Sequence, residues 1–399
     1  MQEIDAKARA DLASGRRFLR RSDVGRRSKD HDAAALLNGN ADAIERATPG
    51  SYLFLLFALL IIGAVTLRSI NAYLAPLLMD FHKVEAVASK LSDGKHYATF
   101  DLNIETRALR RAHIRGLAER PELAVMGASH WQEADGEIAP GVSFYNAHVH
   151  RDYYEDIVAV AGWFYTFDRL PKRLIISIRD NQFTPPEART DFLWVPVLPW
   201  YRELAPIFGL TPHNEYSNGL TPQVRQGLSL PLLKAHLRRY LDAPEQPHVT
   251  DEKAHPTLDT LLPDGGIFWS QSHRDAFTEE RTLAESMALA DAKRFSPPII
   301  DPVGVETVER VLKFLRDHGV EVILTHPPFN PQVWDSLEGS PYMPGLARVE
   351  ALVADMADRL GLRVIGSFNP HEVGCTADMY IDGEHSSPDC LGRIIAEAL

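Results

Sequence analysis

The sequence predicts an α/β protein: a three-layer α/β/α sandwich with a mostly parallel sheet, preceded by one transmembrane helix. From Leu123 onward, short and continuously apolar runs alternate with segments of helical periodicity. Strands that are apolar on both faces belong to a parallel sheet covered by helices on each side. Ahead of that pattern stands one long uncharged run, Ser51–Leu67. The chain has 399 residues, 45% of them hydrophobic, which is ample for a buried core. Its formal net charge of −12 excludes a nucleic-acid partner, because phosphate binding needs a basic surface.

Residues 1–50 read as a basic tail, crowded by Arg16, Arg17, Arg20, Arg21, Arg26, Arg27 and Lys29. Phe18 is its lone aromatic residue, so disorder or loose helix is expected there. SYLFLLFALLIIGAVTL follows, apolar on every face, whereas a core helix keeps a polar stripe. Crossing a bilayer takes about 17–25 residues. The continuation through Ile70 and Leu74 to Met79 lengthens the run while Arg68 reaches for the headgroups. A long polar stretch precedes it and no small-x-small site follows, so residues 51–79 read as an uncleaved anchor. The arginines on its N-terminal side leave the tail in the cytoplasm by the positive-inside rule. The expected location is the bacterial inner (cytoplasmic) membrane, single-pass, with the main domain periplasmic or extracellular.

Residues 80–120 read as a helical connector, because RALRRAHIRGLAER is polar on every side. The domain of residues 121–399 begins with LAVMG (Leu123–Gly127) as a buried strand and VSFYNA (Val142–Ala147) as a second. An amphipathic helix is expected over Tyr153–Phe167, then RLIISI (Arg173–Ile178) as a third strand. Val308, Val311, Leu312 and Leu315 mark a helix stopped at Gly319, and VEVILT (Val320–Thr325) is the fourth strand. Val349, Leu352, Val353, Met356 and Leu360 mark another helix ending at Gly361, before LRVIGS (Leu362–Ser367) as the fifth strand. Residues 182–298 break this rhythm and read as an insertion that shapes a substrate site or lid. One helical piece, Leu232–Leu241, is expected within it. Trp194, Trp200 and Trp269 either form its small core or stack on sugar rings.

In an open parallel sheet the site lies beyond the carboxyl ends of the strands. The first strand ends in MGASH, which sets Ser129 on that edge after small residues that permit a tight turn. After the last strand, YIDGEHSSPDC carries Asp382 and His385 three residues apart. A carboxylate can fix the tautomer of a histidine, which then takes a proton from a serine. Asp180 and Asp378 lack that three-residue spacing. Cys375 and Cys390 bracket the loop: an oxidising compartment would permit a disulfide, and two unrelated buried thiols fit the sequence as well. The H-x-H of His148 and His150 has no cysteine or carboxylate cluster to complete a metal site, so no metal is expected. His326, at the end of the fourth strand, is expected to shape the site floor.

On Ser129 in MGAS and the D-x-x-H of Asp382 and His385, the chain resembles the SGNH (GDSL-like) hydrolase superfamily. The likeness is to its membrane-anchored extracytoplasmic branch, with the alginate O-acetylation and DltD-type proteins, and spans about Leu123 to Leu399 in order of elements. The resemblance implies a nucleophile at Ser129, a general base at His385 and an orienting carboxylate at Asp382. It makes Ser129 N–H and Asn181 in RDNQF the oxyanion-hole donors, and Asn146, His150 and His326 site-lining residues. HVHRD replaces the glycine that the family places after the second strand. The implied activity is that of a membrane-anchored O-acyltransferase or esterase on a cell-surface polysaccharide, working through an acyl-serine without a cofactor. Its implied partners are the glycan substrate and a membrane-embedded acyltransferase or polysaccharide synthesis complex. The alternative is a non-catalytic binding or scaffolding component of an envelope polysaccharide or secretion assembly.

Overall fold

The computed structural model describes residues 49–78, 84–99, 106–189, 194–212, 230, 233–234 and 247–399. The basic tail up to residue 48 lies outside the described residues, as does the expected helix Leu232–Leu241 apart from Leu233 and Lys234. Chain contacts divide the protein into two compact units, Met1–Thr66 and Leu67–Leu399. A helix, α1, runs over Pro49–Leu78. Its window Leu53–Ile70 has a mean hydropathy of 2.4 over 18 residues and is long and apolar enough to cross a membrane. At a rise of about 1.5 Å per residue that window is about 27 Å long, close to the hydrocarbon thickness of a bilayer.

In chain order the strands are β1 (His96–Thr99), β2 (Leu123–Met126), β3 (Phe144–Asn146), β4 (Arg173–Ser177) and β5 (His248–Thr250). Then come β6 (Asp259–Leu261), β7 (Ile267–Phe268), β8 (Glu321–Thr325) and β9 (Arg363–Ile365). Five of them form a wholly parallel sheet in the order β3-β2-β4-β8-β9. These are the five strands read from the sequence, trimmed at their ends. Alternation splits their side chains between two apolar clusters. Ala124, Met126, Leu174, Ile176, Val322 and Leu324 join one, with residues of the helices Tyr154–Thr166, Pro302–Asp317 and Tyr342–Leu360. Leu123, Val125, Ile175 and Ile323 join the other, with Leu391, Ile394 and Ile395 of the last helix, Pro388–Ala396.

β2 is the first strand of this sheet, and the chain goes to β3 on one side of it and β4 on the other. The crevice beyond β2 and β4 is therefore the topological switch point, where ligands of open α/β sheets bind. At that point Gly127 has φ +159°, and a Cβ there would stand 2.6 Å from the Ser177 Cβ at the end of β4. Only glycine lets the turn after β2 lie this close to β4.

Three expectations change. The helix Tyr154–Thr166 is buried on every side from Tyr154 to Phe164, so it is not amphipathic. Its charges are matched inside: Glu155 pairs with Arg189, both with fully buried side chains, and Asp156 with Arg107. The connector is not all helix, because β1 lies within it and pairs with β5 and β6 of the insertion. Together with β7 they make a four-stranded antiparallel sheet in the order β5-β1-β6-β7. Finally, the helix Thr106–Gly116, polar by composition, buries Arg107, Arg110 and His113. Arg107 Nε and Nη2 donate to Asp156 at 2.6 and 3.0 Å, and Arg110 Nε donates to the His148 carbonyl at 2.9 Å. A guanidinium tolerates burial when its fork of donors is filled in this way.

Candidate active site

Ser129 begins a short 3-10 turn, Ser129–Trp131, directly beyond Gly127 and the extended Ala128. The Trp131 ring enters the apolar cluster under the sheet and pins the turn. Asn146 fastens it from below, with Nδ2 donating to the Trp131 and Ala134 carbonyls at 2.6 and 2.7 Å. Its Oδ1 accepts from the His148 N–H at 3.0 Å. Asn146 is 0% exposed, so it does not line the site; it holds the serine turn in place.

From the far end of the chain, the loop between Tyr380 and Ser386 brings two more groups to Ser129. His385 Nε2 lies 2.9 Å from Ser129 Oγ, and His385 Nδ1 lies 2.7 Å from Asp382 Oδ2. The second carboxylate oxygen, Asp382 Oδ1, accepts from the backbone N–H groups of Glu384 and His385, both at 2.7 Å. Asn330 Nδ2 donates to the Asp382 carbonyl, and Tyr380 Oη donates to the Phe329 carbonyl at 2.7 Å. A disulfide joins Cys375 and Cys390, with Cα atoms 5.3 Å apart, and closes the base of the loop. Gly383 faces the helix Glu279–Arg294 so closely that a Cβ would stand 2.8 Å from the Ser286 backbone nitrogen. The loop is thus fixed at both ends and along its back.

Burial by itself would depress the His385 pKa. The carboxylates of Asp382, Glu384 and Glu133 and the Asp382 hydrogen bond outweigh it, so the imidazole is more basic than its ordinary 6.5. Burial would likewise raise Asp382, yet His385 and the two backbone donors hold it below the usual carboxylate range. A basic imidazole hydrogen-bonded to a serine and oriented by an ionised carboxylate is equipped to take the serine proton.

The oxyanion donors are fewer. The Ser129 N–H opens a helical turn, where no intrahelical acceptor exists. Three backbone N–H groups of the HVHRD segment are already used: those of His148, Val149 and His150 donate to Asn146 Oδ1, Gly127 O and Thr106 Oγ1. Asn181 Oδ1 accepts from Arg179, which leaves Nδ2 as its free donor, and none of the described hydrogen bonds joins Asn181 to Ser129. His150 is half-buried beside the site, its pKa held far down by burial and by Arg151 and His385. His326 is packed rather than presented: its ring lies on Phe368, Nδ1 meets the Ile178 carbonyl at 2.9 Å, and burial pushes its pKa to about 4. His148 is filled by Arg110 and Asn146, and no metal-binding group of three appears among the described residues.

No family model matches this chain, and no curated protein is significantly similar to it. The geometry therefore carries the reading.

Sequence reasoning did not single out four residues around the imidazole. Trp269 of the insertion lies edge-on to His385 with ring centres 4.9 Å apart. The Trp269 backbone N–H donates to Glu133 Oε1 at 3.0 Å, and Arg274 pairs with the same carboxylate. His130, next after the serine, points Nε2 at Glu384 Oε1 over 3.5 Å. From the sequence Trp269 reads as core of the insertion or as a ring that stacks on sugars, and the others carry no local signal. Of the remaining tryptophans, Trp194 is buried with Tyr153, Val195 and Leu198, and Trp200 packs on Trp163. Asp180 is taken up by Lys293 and Tyr342, and Asp378 is exposed.

Proposed function

We propose that this protein is a membrane-anchored serine-dependent O-acyltransferase or esterase of SGNH type, acting on a cell-surface polysaccharide. The observation that carries the reading is the hydrogen-bonded series Ser129–His385–Asp382, assembled at the switch point of a parallel sheet. Two apolar clusters, each with helix residues against the sheet, support a three-layer α/β/α sandwich of that superfamily. In the first half-reaction Ser129 Oγ forms an ester bond to the acyl carbon and the donor's C–O bond breaks. The serine proton passes to His385 Nε2 and then to the leaving oxygen. In the second, an acceptor hydroxyl gives its proton to His385 and its oxygen takes the acyl group, freeing Ser129. The Ser129 N–H, with Asn181 Nδ2, would hold the oxyanion; losing one such donor typically costs about 10²–10³ in rate.

The apolar helix supports an anchor, and the arginine-rich tail before it supports a cytoplasmic N-terminus with the globular unit outside. Such tethering keeps the site beside a membrane-embedded acyl donor or a polysaccharide synthesis complex. The test is labelling of membrane fractions with a fluorophosphonate serine probe. Wild-type protein should label and Ser129→Ala should not. Failure of the folded wild-type chain to label would favour a non-catalytic scaffolding role instead.

A further inference from the structure

The residue between the two loop members of the triad carries a partly exposed carboxylate beside the site. Glu384 follows Asp382 by two positions and precedes His385. Its backbone N–H is what binds Asp382, so its side chain is not needed for that turn. The Glu384 side chain is 41% exposed, whereas those of Asp382, His385 and His130 are only 11, 16 and 11% exposed. It faces His130 Nε2 at 3.5 Å, and the His130 ring centre lies 6.0 Å from that of His385. Glu384 and His130, each adjacent in sequence to a triad residue, thus form a second polar pair over the Ser129–His385 contact. A solvent-reachable carboxylate next to a general base is suited to accept hydrogen bonds from a polyol, whose neighbouring hydroxyls it can bridge with two oxygens.

We propose that Glu384, oriented by His130, binds the acyl acceptor through its hydroxyl groups and selects a polyhydroxylated acceptor over water or a simple alcohol. This rests on the acyl-serine reading and names the chemistry of the second half-reaction. Burial would raise the Glu384 pKa, but His130, His385, Lys293 and Arg179 outweigh it, so the carboxylate stays ionised and is an acceptor only. His130 is held neutral: burial pushes its pKa down to about 4 despite Glu384. With one ring nitrogen turned to Glu384 and Nδ1 buried without a partner, the ring can steer the carboxylate without adding a charge. In the transfer step one acceptor hydroxyl rests on Glu384 while its neighbour gives its proton to His385 and forms the new ester bond. Ser129 Oγ leaves and regains its proton.

The full-length chain in detergent is acetylated with p-nitrophenyl acetate, and the acetyl group is partitioned among water, methanol and methyl glucoside. The pH is set well above the His385 titration so that the base is neutral in every variant. For Glu384→Gln, Ser129 must still become acetylated, at the rate that a less basic His385 allows, because the partition ratio is read only after the acetyl-serine has formed. Transfer to methyl glucoside relative to water is expected to fall about tenfold, the scale of one charged hydrogen bond, with methanol transfer unchanged. Glu384→Asp should recover part of the loss. Equal partitioning in wild type and Glu384→Gln, with Ser129 still acylated, overturns the acceptor site alone. Absence of any acetyl-Ser129 in the wild-type chain overturns the serine reading and the acceptor site with it.

Discussion

The indole of Trp269 meets the imidazole of His385 edge-on, ring centres 4.9 Å apart, and so caps the base of the triad with a residue of the insertion. Trp269 is 8% exposed and continues into a stack with His273 and Phe277. Trp269→Ala is expected to lower stability by about 3–5 kcal/mol, the usual cost of such a truncation. It should also slow Ser129 labelling, because His385 gains room to leave its rotamer. Urea unfolding and probe kinetics check both, and Trp269→Phe should lie between. An unchanged midpoint and labelling rate would show the cap to be idle.

The raised pKa of His385 sets the pH dependence. The protonated imidazole cannot accept the serine proton, so labelling should be lost at low pH. It should rise with pH through a midpoint above 6.5. Asp382→Asn removes the opposing charge, so burial prevails and the midpoint should move down. The rate plateau should fall by about 10⁴, the scale seen when a triad carboxylate becomes an amide. A wild-type midpoint below that of the variant would contradict this electrostatic account.

Asn146 supplies a contrast between support and contact. Each buried polar group left unpaired costs about 1–3 kcal/mol, and Asn146→Ala orphans the Trp131 and Ala134 carbonyls and the His148 N–H. A drop in stability of several kcal/mol is expected in denaturant titrations. Asn146→Asp should be worse at neutral pH, since it aims a carboxylate at two carbonyls. Slower labelling with no loss of stability would return Asn146 to the site lining.

Reduction of the Cys375–Cys390 disulfide releases a loop of 15 residues around Asp382 and His385. Chain-entropy reasoning puts that closure at about 3 kcal/mol. The double variant Cys375→Ser, Cys390→Ser should unfold at correspondingly lower denaturant and label more slowly. Intact mass of the native protein should fall by two hydrogens relative to its reduced form; two freely alkylated thiols in the native sample would refute the bridge.

Topology is open to reporter fusions. A reporter after Glu85 should be active only outside the cytoplasm, and one near Asn38 only inside. Equal cytoplasmic activity at both positions would show that Leu53–Ile70 does not cross a membrane.

Much of the parallel sheet is legible in the sequence because β2, β4 and β8 are apolar at nearly every position. Helix ends at Gly361 and Gly319 are readable too, since each glycine adopts positive φ. The antiparallel sheet is not legible: its strands have two to four residues and no alternation long enough to register. Arg107 and Arg110 mislead for a different reason. Composition cannot tell a solvated guanidinium from one whose acceptors, Asp156 and the His148 carbonyl, lie 49 and 38 residues away. In the site, the spacing of Asp382 and His385 and the strand-end place of Ser129 are visible locally. Glu133, His130, Glu384 and Trp269 matter through distant neighbours, and nothing in their own surroundings announces it. Asn146 is visible as a strand-end residue, but not the direction of its amide.

Synthesis runs from the N-terminus, and this fold makes its earliest segments wait. Among the described residues β1, at residues 96–99, has its strand partners at residues 248–250 and 259–261, so both its edges stay unpaired until those residues have emerged. Ser129 waits longer, because its partner His385 is 256 residues away and 14 residues from the last. A nascent chain therefore carries Ser129 without its histidine while those 256 residues are made. The Ser129–His385 contact can form only after the segment that carries His385 has emerged.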